Sequence, residues 1–426
     1  MNPRTWKGGA ALLCALAMAG CGGSGSGGSS AGTLRFVNAT QDYGAVDLYL
    51  NDVEQLAGVG ESSASSYLSF DVATYTAKLK HAGSTVTSAT QSVNMAADGV
   101  YTLVAFNVGT TLSTAIFTDD KAAPTSGYAA MRFYNTGVAA GPVDVYVIDP
   151  AADISAAAPT ATLSAPAMGS YAEIPAGTYR IRVTGAGDKT DVRLDVPSVA
   201  LADQQIATMM LTTASGGVLL NGMLVNQAGA VVPYRNANAR LRVVAAVTAN
   251  GGVSAATSDG SLGVTLQSPT VGGYASVPAA LTGLLVKVNG TAVDTSTLVV
   301  TAGSDNTLLV YGDAAAPQWR LLVDDNVPAS VSTNAKLRLV HLLSGLGSTA
   351  SLSADYVSVA DDVAYGSAST SGPVGGASGM RLEVTSPVRA SPLYLATDVT
   401  LAAQKVYSLF LVGDAAAPVA VLRKDR

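Results

Sequence analysis

Side chains able to do acid–base or nucleophilic chemistry are scarce in this 426-residue sequence. It holds two histidines, His81 and His341, and two cysteines, Cys14 and Cys21. The histidines lie far apart, and neither belongs to a cluster with metal-ligand spacing. No GxSxG elbow occurs to expose a serine nucleophile. The paired acids Asp119 with Asp120, Asp324 with Asp325, and Asp361 with Asp362 lack the DxDxDG spacing that gathers calcium ligands from one loop. Two of these pairs fall where a structural unit closes and read as solvated linkers. Two carboxylates for glycoside hydrolysis need only meet in space, so an envelope hydrolase stays as the least favoured reading. The expectation is a protein that is not an enzyme, with no catalytic residues, no cofactor and no metal.

Arginine and tyrosine recur instead. Arg35, Arg132, Arg242 and Arg338 each follow the first residue of a similar apolar run, LRFV, MRFY, LRVV and LRLV. Alternation along a strand points them away from the face that carries Leu34 and Phe36. A ligand clamp is one use for them. A structural one is a long stem covering apolar surface, with the guanidinium pairing to a neighbouring acid. On the second view Arg35 is expected to meet Asp47, and Arg132 to meet Asp144, across adjacent strands, each exposed pair contributing about 0–1 kcal/mol. Tyr67, Tyr75, Tyr171, Tyr179 and Tyr274 sit around turns and strand starts. They read as corner tyrosines whose hydroxyls bond to backbone, with a row of sugar-stacking rings as the alternative.

Cys21 is the residue with the clearest covalent chemistry. Arg4 and Lys7 form a basic n-region, Ala10 to Ala19 an apolar h-region, and Met18, Ala19, Gly20 and Cys21 a small-residue cleavage site. The segment is too short to span a bilayer, which needs about 20 apolar residues. It resembles a bacterial lipoprotein signal, departing only at Met18, where Leu is commoner. The resemblance implies that Cys21 becomes the lipidated first residue and holds the chain to a membrane. Gly22, in place of Asp, implies outer-membrane sorting in a Gram-negative host.

Composition sets further bounds. With 24 basic against 30 acidic side chains, and two of the basic ones in the leader, the chain is acidic. It lacks the basic stripe that nucleic acid demands. Cys14 leaves with the leader and Cys21 carries lipid, so no disulfide is expected and stability must come from apolar burial. Hydrophobic residues make up 48% and charged ones 13%, well outside the disordered class.

The elements that must position these residues are strands. Short alternating runs are broken by Gly, Pro, Asn and Asp clusters at sandwich spacing, and no helix longer than two turns is expected beyond the leader. The pattern repeats. The four Arg-bearing strands begin at Leu34, Met131, Leu241 and Leu337; GDAAAP occurs at 312–317 and 413–418; VDLYL at 46–50 echoes VDVYV at 143–147. The order LRF, VDxY, IPAGTY (174–179) and YTLVA (101–105) resembles the DUF4397 family of bacterial envelope proteins. Four copies are read, with Ser254 and Ser351 replacing Asp47 and Asp144 in the last two; the family brings no established activity.

The expected fold is therefore all-β, tandem immunoglobulin-like β-sandwich domains after a lipoprotein signal peptide. The divisions are 1–20 signal, 21–32 lipidated Cys and Gly/Ser tether, and repeats at 33–125, 126–235, 236–333 and 334–426. The expected role is a structural or adhesive cell-envelope protein, anchored through lipid on Cys21, whose partner is an envelope protein or a glycan. A polysaccharide- or peptidoglycan-binding module is the alternative.

Overall fold

The computed structural model describes residues 31–40, 43–108, 111–281 and 283–426, so Cys21 and the leader lie outside the described residues. The regular secondary structure is nearly all β, arranged as repeated pairs of packed sheets. The one helical turn among the described residues is a 3-10 turn at Ile154–Ala156, capped by the Asp153 carboxylate. No helix there is long and apolar enough to cross a membrane.

The first unit contains β1 (Ala31–Asn38), β2 (Val46–Leu50), β3 (Val53–Val59), β4 (Ser63–Ala64), β5 (Leu68–Asp71), β6 (Ala73–His81), β7 (Thr87–Met95), β8 (Val100–Val108) and β9 (Thr111–Thr118). One sheet runs β4–β1–β8–β9, with β5 continuing along the edge of β1; the other runs β3–β2–β6–β7. β1 and β8 are parallel, and the remaining pairs are antiparallel. β1 begins at Ala31, which moves Ala31 and Gly32 out of the tether and into the sheet. A Cβ on Gly32 would lie 2.6 Å from the Ala96 carbonyl oxygen, so glycine here serves close packing and not a flexible linker.

The same order recurs in three further sheet pairs. Their first strands, Tyr128–Asn135, Asn238–Val247 and Asn334–His341, again pair in parallel with a late strand of the same unit. The GDAAAP segments are the hairpin turns of the third and fourth units, where Gly312 and Gly413 take φ of +89° and +90°. That left-handed backbone is nearly free for glycine and strained for other residues.

Each unit has a core between its two sheets. In the first, Leu34 and Phe36 of β1, Val46 and Leu48 of β2, Leu79 of β6 and Leu103 of β8 pack together. A second kind of core lies between units. Val37, Val104, Phe106 and Phe117 of the first unit meet Met210, Met223 and Val225 of the second. Val244 and Leu309 of the third likewise meet Val340, Leu342, Phe410 and Val412 of the fourth. The β1-bearing sheets are therefore buried on both faces, as parallel strands commonly are. We call them inner sheets, and their partners outer sheets. The chain forms two stacks of four layers each.

The stacks touch where the loop after Thr213 meets the third unit. The Gly216 amide donates to Gly303 at 2.9 Å, and the Asn326 amide donates to Gly216 at 3.3 Å. The segment between the stacks is itself used as a strand: Val231–Tyr234 adds to the inner sheet of the second unit.

Candidate functional site

The four recurrent arginines gather at the seams between paired inner sheets. Each lies beside a hydroxyl residue on the parallel neighbour strand, because the register aligns Arg35 with Thr102, Arg132 with Thr208, Arg242 with Thr307 and Arg338 with Ser408. In all four the guanidinium Nε donates to that hydroxyl, at 2.8, 2.9, 2.7 and 2.7 Å. A tyrosine ring covers the guanidinium in three of the units: Tyr67 lies 5.1 Å from Arg35, Tyr171 4.4 Å from Arg132 and Tyr274 4.5 Å from Arg242.

The expected ion pairs are not formed. β1 and β2 are consecutive in sequence yet belong to opposite sheets, so Arg35 faces the second unit while Asp47 lies on the outer sheet. Asp47 instead accepts the amides of Gly58 at 2.6 Å and Gly83 at 3.1 Å. Arg132 and Asp144 are separated in the same way: Asp144 accepts from Thr162 at 2.6 Å and from the Gly187 amide at 2.8 Å. These carboxylates hold backbone beside the central outer strand, and Ser351 does likewise for the Asp362 amide in the fourth unit.

In the second stack the acids that do meet the arginines close the third and fourth units: Asp324, which the sequence placed in a solvated linker, and Asp425, which it did not single out. Asp324 accepts from Arg338 at 2.6 Å, and Asp425 accepts from Arg242. Each arginine thus reaches the carboxylate of the opposite unit. All four side chains are at most 5% exposed. Asp324 also accepts from Thr307 at 2.6 Å and from Tyr274 at 2.7 Å. Burial first, and then the Asp324 charge, push the Tyr274 hydroxyl well above its ordinary range. It stays protonated as a donor.

The tyrosines divide by role. Tyr75 donates to the Asp71 carbonyl at 3.1 Å and Tyr179 to that of Pro175 at 2.8 Å, which are corner tyrosines as expected. Tyr67, Tyr171 and Tyr274 cover seam arginines. The most exposed ring among the described residues was not singled out in the sequence: Tyr356, 81% exposed, at a hairpin tip. Its φ of +67° is unusual for an aromatic residue, in a turn whose first-unit counterpart carries Asn51 and Asp52 at similar angles. The Arg381 guanidinium stacks 4.6 Å from the ring, itself paired to Glu383.

His341 is fully buried; its Nδ1 accepts the Leu343 amide and its Nε2 faces the Ser348 carbonyl. Burial lowers its pKa and holds the ring neutral. Asp361 and Asp362 line a cleft of about 510 Å³, and Asp294 and Asp313 another of about 630 Å³. Among the described residues no group of three His, Cys, Asp or Glu converges as a metal site would require.

Two solved structures are similar in part. The Bacillus anthracis TIE protein is 11% identical over 64% of this chain, with a TM-score of 0.14; the chain spans 47% of that protein's length. A family CBM26 module of Eubacterium rectale Amy13K, solved in complex with maltoheptaose, is 13% identical over 47% of this chain and 96% of its own, with a TM-score of 0.16. At those TM-scores neither likeness carries an argument. No curated protein matches the chain. Residues 32–146, from β1 into the VDVY strand of the second unit, match the family described as "Domain of unknown function (DUF4397)", so a DUF4397 domain is present there.

Proposed function

We propose that the chain is a non-enzymatic, lipid-anchored cell-envelope protein that presents tandem β-sandwiches to a partner, with the later sheet pairs being further copies of the DUF4397 unit. The observation that supports display is the seam of inner sheets. Interlocked arginines and apolar cores join neighbouring units into stiff stacks, leaving outer sheets and loops free for contact. The anchor rests on the basic and apolar leader, Cys21 and the run of Gly and Ser at 22–30. Several acyl chains at about 0.8 kcal/mol per buried methylene would hold it firmly. Fractionation of cells expressing Cys21→Ser tests the anchor. The variant is expected in the soluble envelope fraction, and its retention in the membrane pellet would refute the proposal. Protease shaving of intact cells, read at the second unit, reports on which side of the outer membrane the chain is displayed.

A second reading, binding of polysaccharide or peptidoglycan, is favoured by Tyr356. An exposed ring backed by a fixed Arg–Glu pair offers a stacking surface with hydroxyl-binding groups beside it. Sedimentation with insoluble cell-wall polysaccharide tests it. Loss of binding in Tyr356→Ala is expected, and equal sedimentation of both proteins removes the reading.

A further inference from the structure

The two seams are built alike but charged differently. In the second stack the guanidinium groups of Arg242 and Arg338 face the carboxylates of Asp324 and Asp425, and the set is neutral. Strand register locates the equivalent positions in the first stack. Leu322 and Arg423 lie opposite Thr307 and Ser408, two residues before Asp324 and Asp425; Phe117 and Val225 lie opposite Thr102 and Thr208, two residues before Asp119 and Gln227. Gln227 therefore stands where the second carboxylate belongs.

The consequences are visible around it. The Gln227 amide oxygen is buried without a hydrogen-bond partner. Arg35 makes up for the missing acid with the carbonyls of Asn226 and Gly229, both at 2.6 Å, and keeps Asp119 at 3.8 Å. Arg132 does not. Beyond Thr208 its guanidinium meets only rings, Tyr171 at 4.4 Å and Phe117 at 5.3 Å, and no carboxylate among the described residues lies within 4 Å. The Lys121 ammonium stands 6.0 Å from the same Tyr171 ring, again with no acid paired to it among the described residues. Both cations are half-buried. A cation withdrawn from water without a counter-charge is costly. The remedy available in solution is an anion, for which a guanidinium with free N–H groups is the best protein donor.

We propose that Arg132, Lys121 and Tyr171 form a binding site, at the seam of the first two units, for one anionic group: a phosphate or a carboxylate carried on an envelope polymer. Arg132 donates two N–H groups to its oxygens, Lys121 supplies the second charge, and Tyr171 walls the pocket. The site does not depend on the lipid anchor, and either idea can fail alone.

Calorimetric titration of the purified Cys21→Ser chain at low ionic strength tests it, with inorganic phosphate and galacturonate as separate probes. Saturable binding of at least one probe, at one site per chain, is expected. Phosphate alone would point to a phosphorylated polymer, and galacturonate alone to an acidic sugar. Lys121→Met, outside the sheets, should weaken binding at least tenfold. Gln227→Asp, which restores the second carboxylate, should abolish it while circular dichroism is unchanged. Absence of saturable binding by both probes overturns the proposal, as does undiminished binding in Gln227→Asp.

Discussion

Replacing Asp324 by Asn should cost the second stack several kcal/mol. The carboxylate is wholly buried and receives Arg338, Thr307 and Tyr274, with Arg242 at 4.0 Å. An Asn side chain keeps the shape and one acceptor but leaves two buried guanidinium groups facing a single acid. Breaking a buried pair from one side costs about 3–5 kcal/mol. For a body of two sandwiches with a urea slope of about 2–3 kcal/mol per molar, the midpoint falls by about 1–2 M. Trp319, the only tryptophan beyond the leader, sits in the last strand of the third unit and reports the transition by fluorescence. Because the third and fourth units share an apolar core, a probe in the fourth should shift with it. Asp325→Asn is the milder control, since Asp325 is 58% exposed and its partner Lys336 also keeps the Val327 carbonyl at 3.0 Å. A shift below about 0.3 M in Asp324→Asn, or an equal shift in the control, would refute the assignment of the seam as an ionic lock.

Two more outcomes follow from the junction between the stacks. Burial pushes the Asp305 carboxyl up to about 6, against the pull of Arg240 and Asn326 and with reinforcement from Asp324 and Asp425. The folded chain then holds this proton more tightly than the unfolded one, so the contribution of Asp305 to stability is present at pH 4 and is lost as pH rises through about 6, a change of order 3 kcal/mol. In Asp305→Asn, urea midpoints between pH 4 and 7 should lose that component; an unchanged pH profile would contradict it. Gly216→Ala should loosen the junction, because its Cβ would fall 2.5 Å from the Asp305 amide nitrogen and 2.9 Å from the Ser304 carbonyl carbon. Backbone cannot yield as a side chain can, and an overpacking cost of about 1–3 kcal/mol is expected, read as faster proteolysis in the 214–217 loop.

The strands were legible because alternation and repetition are local signals. LRFV marks β1 and its counterparts, and the turns around GDAAAP fall where glycine is needed. Even the direction of the arginines, away from Leu34 and Phe36, could be read. Their partners could not. Pairing Arg35 with Asp47 assumed that consecutive strands lie side by side, whereas the chain crosses to the other sheet between β1 and β2. The buried role of Asp324 was missed because an acid beside a unit boundary resembles a linker residue until the neighbouring unit covers it, and Asp425 carried no spacing that singled it out. One signal was available: β8 reads VYTLVAFNV, apolar on both faces of a strand, which announces burial from two sides. Tyr356 left no trace in spacing, since its exposure and left-handed backbone are properties of a turn.

Pairing through inner sheets also imposes parity. A sandwich of this kind has one apolar face that only a sibling can cover, as Val244, Leu309 and their neighbours are covered by Val340 and Phe410. Shortening or lengthening the array by a single module would strand such a face in water, together with its arginine. Growth by twos is the step that leaves no orphan.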